Sequence, residues 1–106
     1  MVVKRFEIYF VNLDPTIGSE IKKSRPCVVI SPDDINRSLN TVIIAPLTST
    51  IKRYPTRVDC VVSNKSGQIA IDQLRAIDKA RLFKKIGTLD ATAADSVLEV
   101  IKALFA

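Results

Sequence analysis

A chain of 106 residues has room for one domain with a modest core and not for two. Hydrophobic residues make up 47% and charged residues 25%, the balance of an ordinary globular protein rather than a disordered or fibrous one. The 16 Lys and Arg against 11 Asp and Glu leave a net charge of +5, which favours a polyanionic or acidic partner.

Residues 6–13 carry alternating bulk and predict a first strand. Asp14-Pro15 stops it, and Gly18 marks a mobile loop lasting to about Ser24. Residues 26–31, built on Cys27-Val28-Val29-Ile30, form an apolar β-branched run suited to a buried strand. Pro32-Asp33-Asp34 opens a turn or single helical turn, and residues 36–40 complete the connection. Thr41–Ala45 is a second buried strand, and Pro46 is expected to end its regular pairing. Ile51–Pro55 is basic and turn-prone, Thr56–Val62 alternates again, and Ser63–Gly67 is a turn leading into Gln68–Ile71 as a hairpin partner. Leu74–Ile77 and Lys85–Leu89 read as short strands, with a helical turn near residues 79–83 between them. A closing helix follows, with Thr92 as its cap and Val97, Leu98, Ile101, Leu104 and Phe105 on one apolar face. Many short strands and one helix predict a mainly β (α+β) domain over residues 1–106, a small, strongly curved barrel.

The longest uncharged stretch, residues 38–51, is interrupted by Asn40 and Pro46 and is too short to span a bilayer. Lys4, Arg5 and Glu7 break the apolar residues that a signal-peptide core would need, so a cytoplasmic location without membrane contact is expected. Cys27 and Cys60 each lie in an apolar run and read as buried small hydrophobes rather than as a disulfide or a metal pair. With no histidine, a cysteine nucleophile lacks its usual base, and no metal or cofactor is implied.

The positive charge is concentrated. Lys22, Lys23 and Arg25 occupy one loop, and Lys52, Arg53 and Arg57 another, while Arg75, Lys79, Arg81, Lys84 and Lys85 read as a solvated face. A cationic loop, an arginine fixed by Pro26 and a hydroxyl leaving a strand at Ala45-Pro46-Leu47-Thr48-Ser49-Thr50 suit the gripping and cleaving of a phosphodiester. RNA can be cut through its own 2′-hydroxyl if the charged phosphorane is stabilised, and the planar paired donors of Arg25 fit that task. Lys22, Lys23, Lys52 and Arg53 are candidate phosphate contacts. Tyr54 is a candidate base-stacking residue, whereas Phe10, within a strand, reads as core.

From about Phe6 to Leu89, Asp14-Pro15-Thr16, Gly18-Ser19-Glu20, Arg25-Pro26 and Pro46-Leu47-Thr48-Ser49 together resemble the MazF/PemK (Kid) family of toxin endoribonucleases. The resemblance implies an SH3-like barrel of the CcdB/PemK type with short helices and a C-terminal helix. It implies sequence-specific, metal-independent cleavage of single-stranded RNA to 2′,3′-cyclic phosphate and 5′-hydroxyl ends. It places Arg25, Thr48 and Glu20 at catalytic positions, with Ser49 a second hydroxyl for contact with RNA. One branch of the family has an arginine two residues before the Asp72 position; Ala70 stands there in this chain, so Asp72 and Gln73 fit RNA contact or structural hydrogen bonding better than catalysis. The implied partners are a second copy of the chain and an antitoxin with an acidic disordered tail. The apolar C-terminus and the strand Thr41–Pro46 offer surface for the pairing of two copies, and sequence does not separate interface from core there. Two alternatives remain open: a barrel toxin that binds DNA gyrase without cleaving RNA, and a binding module without chemistry.

Overall fold

A computed structural model describes residues 1–106. Seven strands and two helices follow in order: β1 (Glu7–Asn12), β2 (Ser24–Val29), α1 (Asp33–Ser38), β3 (Thr41–Thr48), β4 (Arg57–Val62), β5 (Lys65–Ala70), β6 (Arg75–Asp78), β7 (Leu82–Thr88) and α2 (Ala91–Leu104). Single 3₁₀ turns at Ile71–Gln73 and Lys79–Arg81 flank β6. All pairings are antiparallel, in the order β4-β5-β3-β2-β1-β7, with β6 also on β3. The result is a curled, mainly β half-barrel closed by a C-terminal helix, as the sequence predicts.

The curl originates in β3. Its first half pairs with β6 from Thr41 to Ile44, and its end pairs with β5 at Leu47 and Thr48. Pro46 therefore does not end the strand as expected. It falls where β3 changes partners on that edge, so the missing N–H costs no ladder bond there, while Cys27 of β2 lies opposite it on the other edge. Two register shifts between β1 and β7 add local twist.

Alternation along the central strands feeds two cores. Ile8, Val28, Ala45, Leu47 and Ile69 face α2, which contributes Ala93, Ala94 and Val97. Tyr9, Val11, Cys27, Val29 and Ile44 face the other side with Ile77 and Leu82. Burial on both faces explains why these strands read as continuous apolar runs. Cys27 and Cys60 are free thiols in different cores, and burial raises them to about 12 and about 11, leaving both as inert hydrophobes.

Several boundaries differ from expectation. The β4–β5 hairpin turns tightly on Ser63 and Asn64, both at positive φ, so Lys65, Ser66 and Gly67 belong to β5 rather than to the turn. β7 starts at Leu82, which takes Phe83 and Lys84 into the strand. Asp90, not Thr92, caps α2, its carboxylate accepting from Ala93 N at 2.8 Å. The helix buries Val97 completely, worth roughly 1.5–3 kcal/mol, yet Leu104 and Phe105 at its end stay exposed. Along the strand proposed for pairing, only Thr41 and Ile43 are exposed, and both edges are already occupied by neighbouring strands. No helix is long and apolar enough to cross a membrane.

Candidate active site

Arg25 and Thr48 come from adjacent strands. The β2–β3 register sets Cys27 against Pro46 and Val28 against Ala45, and continuing it places Arg25 across from Thr48. Arg25 sits inside β2, paired with Val11 of β1, rather than in the preceding loop. Its Nε donates to Lys22 O at 3.0 Å and its Nη1 to Leu47 O at 3.5 Å. Those bonds aim the side chain and leave three of its five donors uncommitted. The Thr48 oxygen accepts from Thr50 N at 3.1 Å, while its own hydrogen has no partner in the chain. A half-exposed guanidinium beside a free hydroxyl donor is suited to a phosphoryl group.

Two clefts meet at this pair. The smaller, about 280 Å³, gathers Glu20, Lys22, Lys52 and Gln73 around Arg25 and Thr48, six of the residues singled out from sequence. The larger, about 660 Å³, runs from Arg25, Thr48 and Ser49 towards Phe10, Lys65 and Lys84. Lys23 stands exposed at the base of the loop and Arg53 lies exposed beyond Lys52, neither lining these clefts.

Both flanking loops are held by glutamines. Gln73 accepts from Ile21 N at 3.1 Å and donates to Ser19 O at 3.4 Å, tying down the loop before Arg25. Buried Gln68, opposite Thr48, accepts from Lys52 N at 3.0 Å and donates to Lys52 O and Asp59. The sequence shows Gln68 only as the start of a hairpin strand, because its role at the loop depends on the register of β5. The amide of Gln73 is thus a strut for the loop rather than a free base reader. Glu20 likewise spends its carboxylate on Ile17 N within its own loop, and Arg25 is oriented by carbonyls instead.

Arg57 lines the smaller cleft as well. It lies opposite Ala70 in the β4–β5 register and reaches Asp72 through Nε at 2.8 Å. An arginine thus stands beside Asp72, reaching it from the neighbouring strand rather than from position 70. Its guanidinium also covers the Tyr54 ring at 5.3 Å, so a base stacking on Tyr54 would have only the other ring face. Burial opposes the charge on Asp72, but hydrogen bonds from Arg57 and then Thr56 outweigh it and hold the carboxyl below its ordinary range. The stabilisation from this pair is fully present above the unfolded value near 3.9 and is lost as pH falls through the lower folded value. Asp72→Asn should cost about 1 kcal/mol at pH 7, a low figure for a charged hydrogen bond because 28% of the Asp72 side chain is exposed. The difference from wild type should vanish in urea melts taken below the carboxylate range; a constant deficit at every pH would show that packing, not charge, is lost.

Other basic residues have structural work. Arg75 donates to Leu13 O, and Arg81 to Asn12 O and Asp14 O, fastening the end of β1, while Lys85 pairs with Glu7 at 2.6 Å. Phe10 is the clearest correction among the aromatics. It is not core but half-buried at the mouth of the larger cleft, stacked on Phe83, on the same face of β1 as Ile8 and opposite to buried Tyr9 and Val11.

A half-barrel carrying a cationic, hydroxyl-bearing cleft at the ends of its central strands defines a small protein built to engage a phosphodiester. Over residues 4–105 the chain matches the family of PemK-like, MazF-like toxins of type II toxin-antitoxin systems, and it belongs to that family. It is 38% identical over 108 residues to endoribonuclease EndoA of Bacillus subtilis (strain 168), covering 96% of this chain and 93% of that protein. MazF from Deinococcus radiodurans superposes with a TM-score of 0.87 at 25% identity, covering 99% and 97% of the two chains. A mycobacterial endoribonuclease solved with its cognate antitoxin has the same fold, with a TM-score of 0.83 at 19% identity over 97% and 94% of the chains.

Proposed function

We propose that this toxin is a sequence-specific endoribonuclease acting on single-stranded RNA in the cytoplasm without a metal. The observation that carries this reading is the meeting of Arg25 and Thr48 at the junction of two clefts, in a chain closely related to a named endoribonuclease. That relationship also supports cleavage over gyrase binding.

In the proposed reaction the substrate's 2′-oxygen forms a bond to the adjacent phosphorus and loses its proton, and the bond from phosphorus to the 5′-oxygen breaks as that oxygen gains one from water in the open cleft. The free donors of Arg25 neutralise the non-bridging oxygens as charge builds in the transition state, and the Thr48 hydroxyl donates to one of them. Arg25, whose guanidinium offers donors and no acceptor, is not the base. Asp72, its carboxylate stabilised by Arg57, is a poor one. Glu20, which borders the smaller cleft, takes the 2′ proton in this reading once RNA releases it from Ile17. Lys22, Lys23, Lys52 and Arg53 hold flanking phosphates, with Ser49, Asp72 and Gln73 bordering the path and Tyr54 offering its uncovered ring face.

The functional unit is a homodimer, for which exposed Leu104 and Phe105 supply apolar surface. Its activity is held in check by an antitoxin whose acidic disordered tail lies along the same cationic clefts.

The test is incubation with a long single-stranded RNA in EDTA, followed by end-group analysis. Discrete cuts with 2′,3′-cyclic phosphate and 5′-hydroxyl ends are expected. Intact RNA across many sequences would sink the proposal.

A further inference from the structure

Arg25 and Thr48 border both clefts, so a phosphate held between them sends its chain in two directions. The smaller cleft is polar, and the residues assigned to it account for only one of those directions. The larger has a different chemistry. Phe10 lines it and stacks on Phe83 with centroids 5.9 Å apart and planes 16° from parallel, and Phe83 is 60% exposed. Stacking uses one face of each ring, and half-exposed Phe10 still contributes to the wall of the cleft. Lys65 and Lys84 border the same cleft, both are exposed, and neither has a hydrogen-bond or ion-pair partner within the chain, unlike Lys85, which Glu7 holds.

We infer that the larger cleft seats the stretch of RNA on one side of the scissile phosphate, a base lying against Phe10 and its phosphates on Lys65 and Lys84. The inference rests on the nuclease reading and extends it to residues outside the catalytic pair. Its occupant is single-stranded RNA because the two requirements, an aromatic ring lining the cleft and unpaired ammonium groups beside it on β7 (Lys84, opposite Phe10) and across the cleft on β5 (Lys65), are those of a base and its backbone. Continuity with Arg25 and Thr48 sets where that strand must go.

The test uses an RNA that the wild type cuts, made uncleavable by a 2′-deoxy sugar at the cut, with binding followed across a salt series. Lys65→Ala with Lys84→Ala should bind on the order of tenfold more weakly, and its slope of log affinity against log salt should shrink by about 1.4, about 0.7 for each phosphate no longer neutralised. Phe10→Leu should lose on the order of tenfold with the slope unchanged. Truncating the RNA on one side of the cut, and only on that side, should abolish both differences. Wild-type affinity in the variants, or differences that survive truncation from either side, would overturn the inference while leaving cleavage intact. A change of oligomeric state on sedimentation of the variants would assign the face to a second copy of the chain and overturn it too. A wild type that neither binds nor cuts RNA would instead bring down the nuclease reading, and the inference with it.

Discussion

Arg25→Ala should lower kcat on RNA by at least about 100-fold at saturating substrate while leaving the melting curve nearly unchanged. The size follows from the loss of preorganised donors aimed at developing charge, where a single donor is worth about 10²–10³ in rate. Folding should tolerate the change because the side chain is only half-buried, its bond to Lys22 O is exposed to water, and its bond to Leu47 O is long at 3.5 Å. Arg25→Lys keeps the charge but not the planar fork, so it should recover only part of the rate. A fall confined to KM would make Arg25 a binding residue, with the same affinity for ground and transition states. Wild-type kcat in a folded alanine variant would remove Arg25 from the chemistry altogether.

How much of this was legible before the fold depends on the range of the information. The strands β2 and β3 declare themselves through local β-branched runs, and Arg25 is conspicuous beside Pro26. Thr48 is different: its residue type says little, and only the resemblance to a toxin family singles it out. What could not be read is nonlocal. Pro46 looks like a terminator until β3 is seen to exchange β6 for β5 beside it. The Arg57–Asp72 pair needs the hairpin register, and Gln68 needs a loop to fold back onto it. Phe10 misleads for a related reason. Its neighbours Tyr9 and Val11 are buried in the core on the opposite face, while on its own face this ring stands at the cleft mouth, which only the assembled sheet reveals.

Gly67→Ala should damage stability and catalysis together, although Gly67 has no side chain to take part in the reaction. A Cβ built there would lie 2.9 Å from Thr48 O and 3.6 Å from its carbonyl carbon, both backbone atoms of the central strand. Real Cβ atoms do not approach so closely, and neither atom belongs to a flexible side chain that could swing aside. Relief must come from β5 or from β3. If β5 moves away, the Thr48–Gln68 pair opens and Gln68 loses its hold on Lys52. If β3 moves, Thr48 carries its hydroxyl off the phosphate. Overpacking of this kind costs roughly 1–3 kcal/mol, which for a domain of this size corresponds to a melting point lower by about 5–20 °C. A displacement on the order of 1 Å at the hydroxyl can cost about 100-fold in rate, so kcat should fall at least tenfold even at temperatures where the variant stays folded. Gly87→Ala is the control, since a Cβ at that position meets nothing within 4 Å and should leave both measurements near wild type. A Gly67→Ala protein that melts late but cuts slowly would mean that β3 yields, whereas one that melts early and cuts at full rate would mean that β5 yields and that Thr48 is held from the β2 side alone.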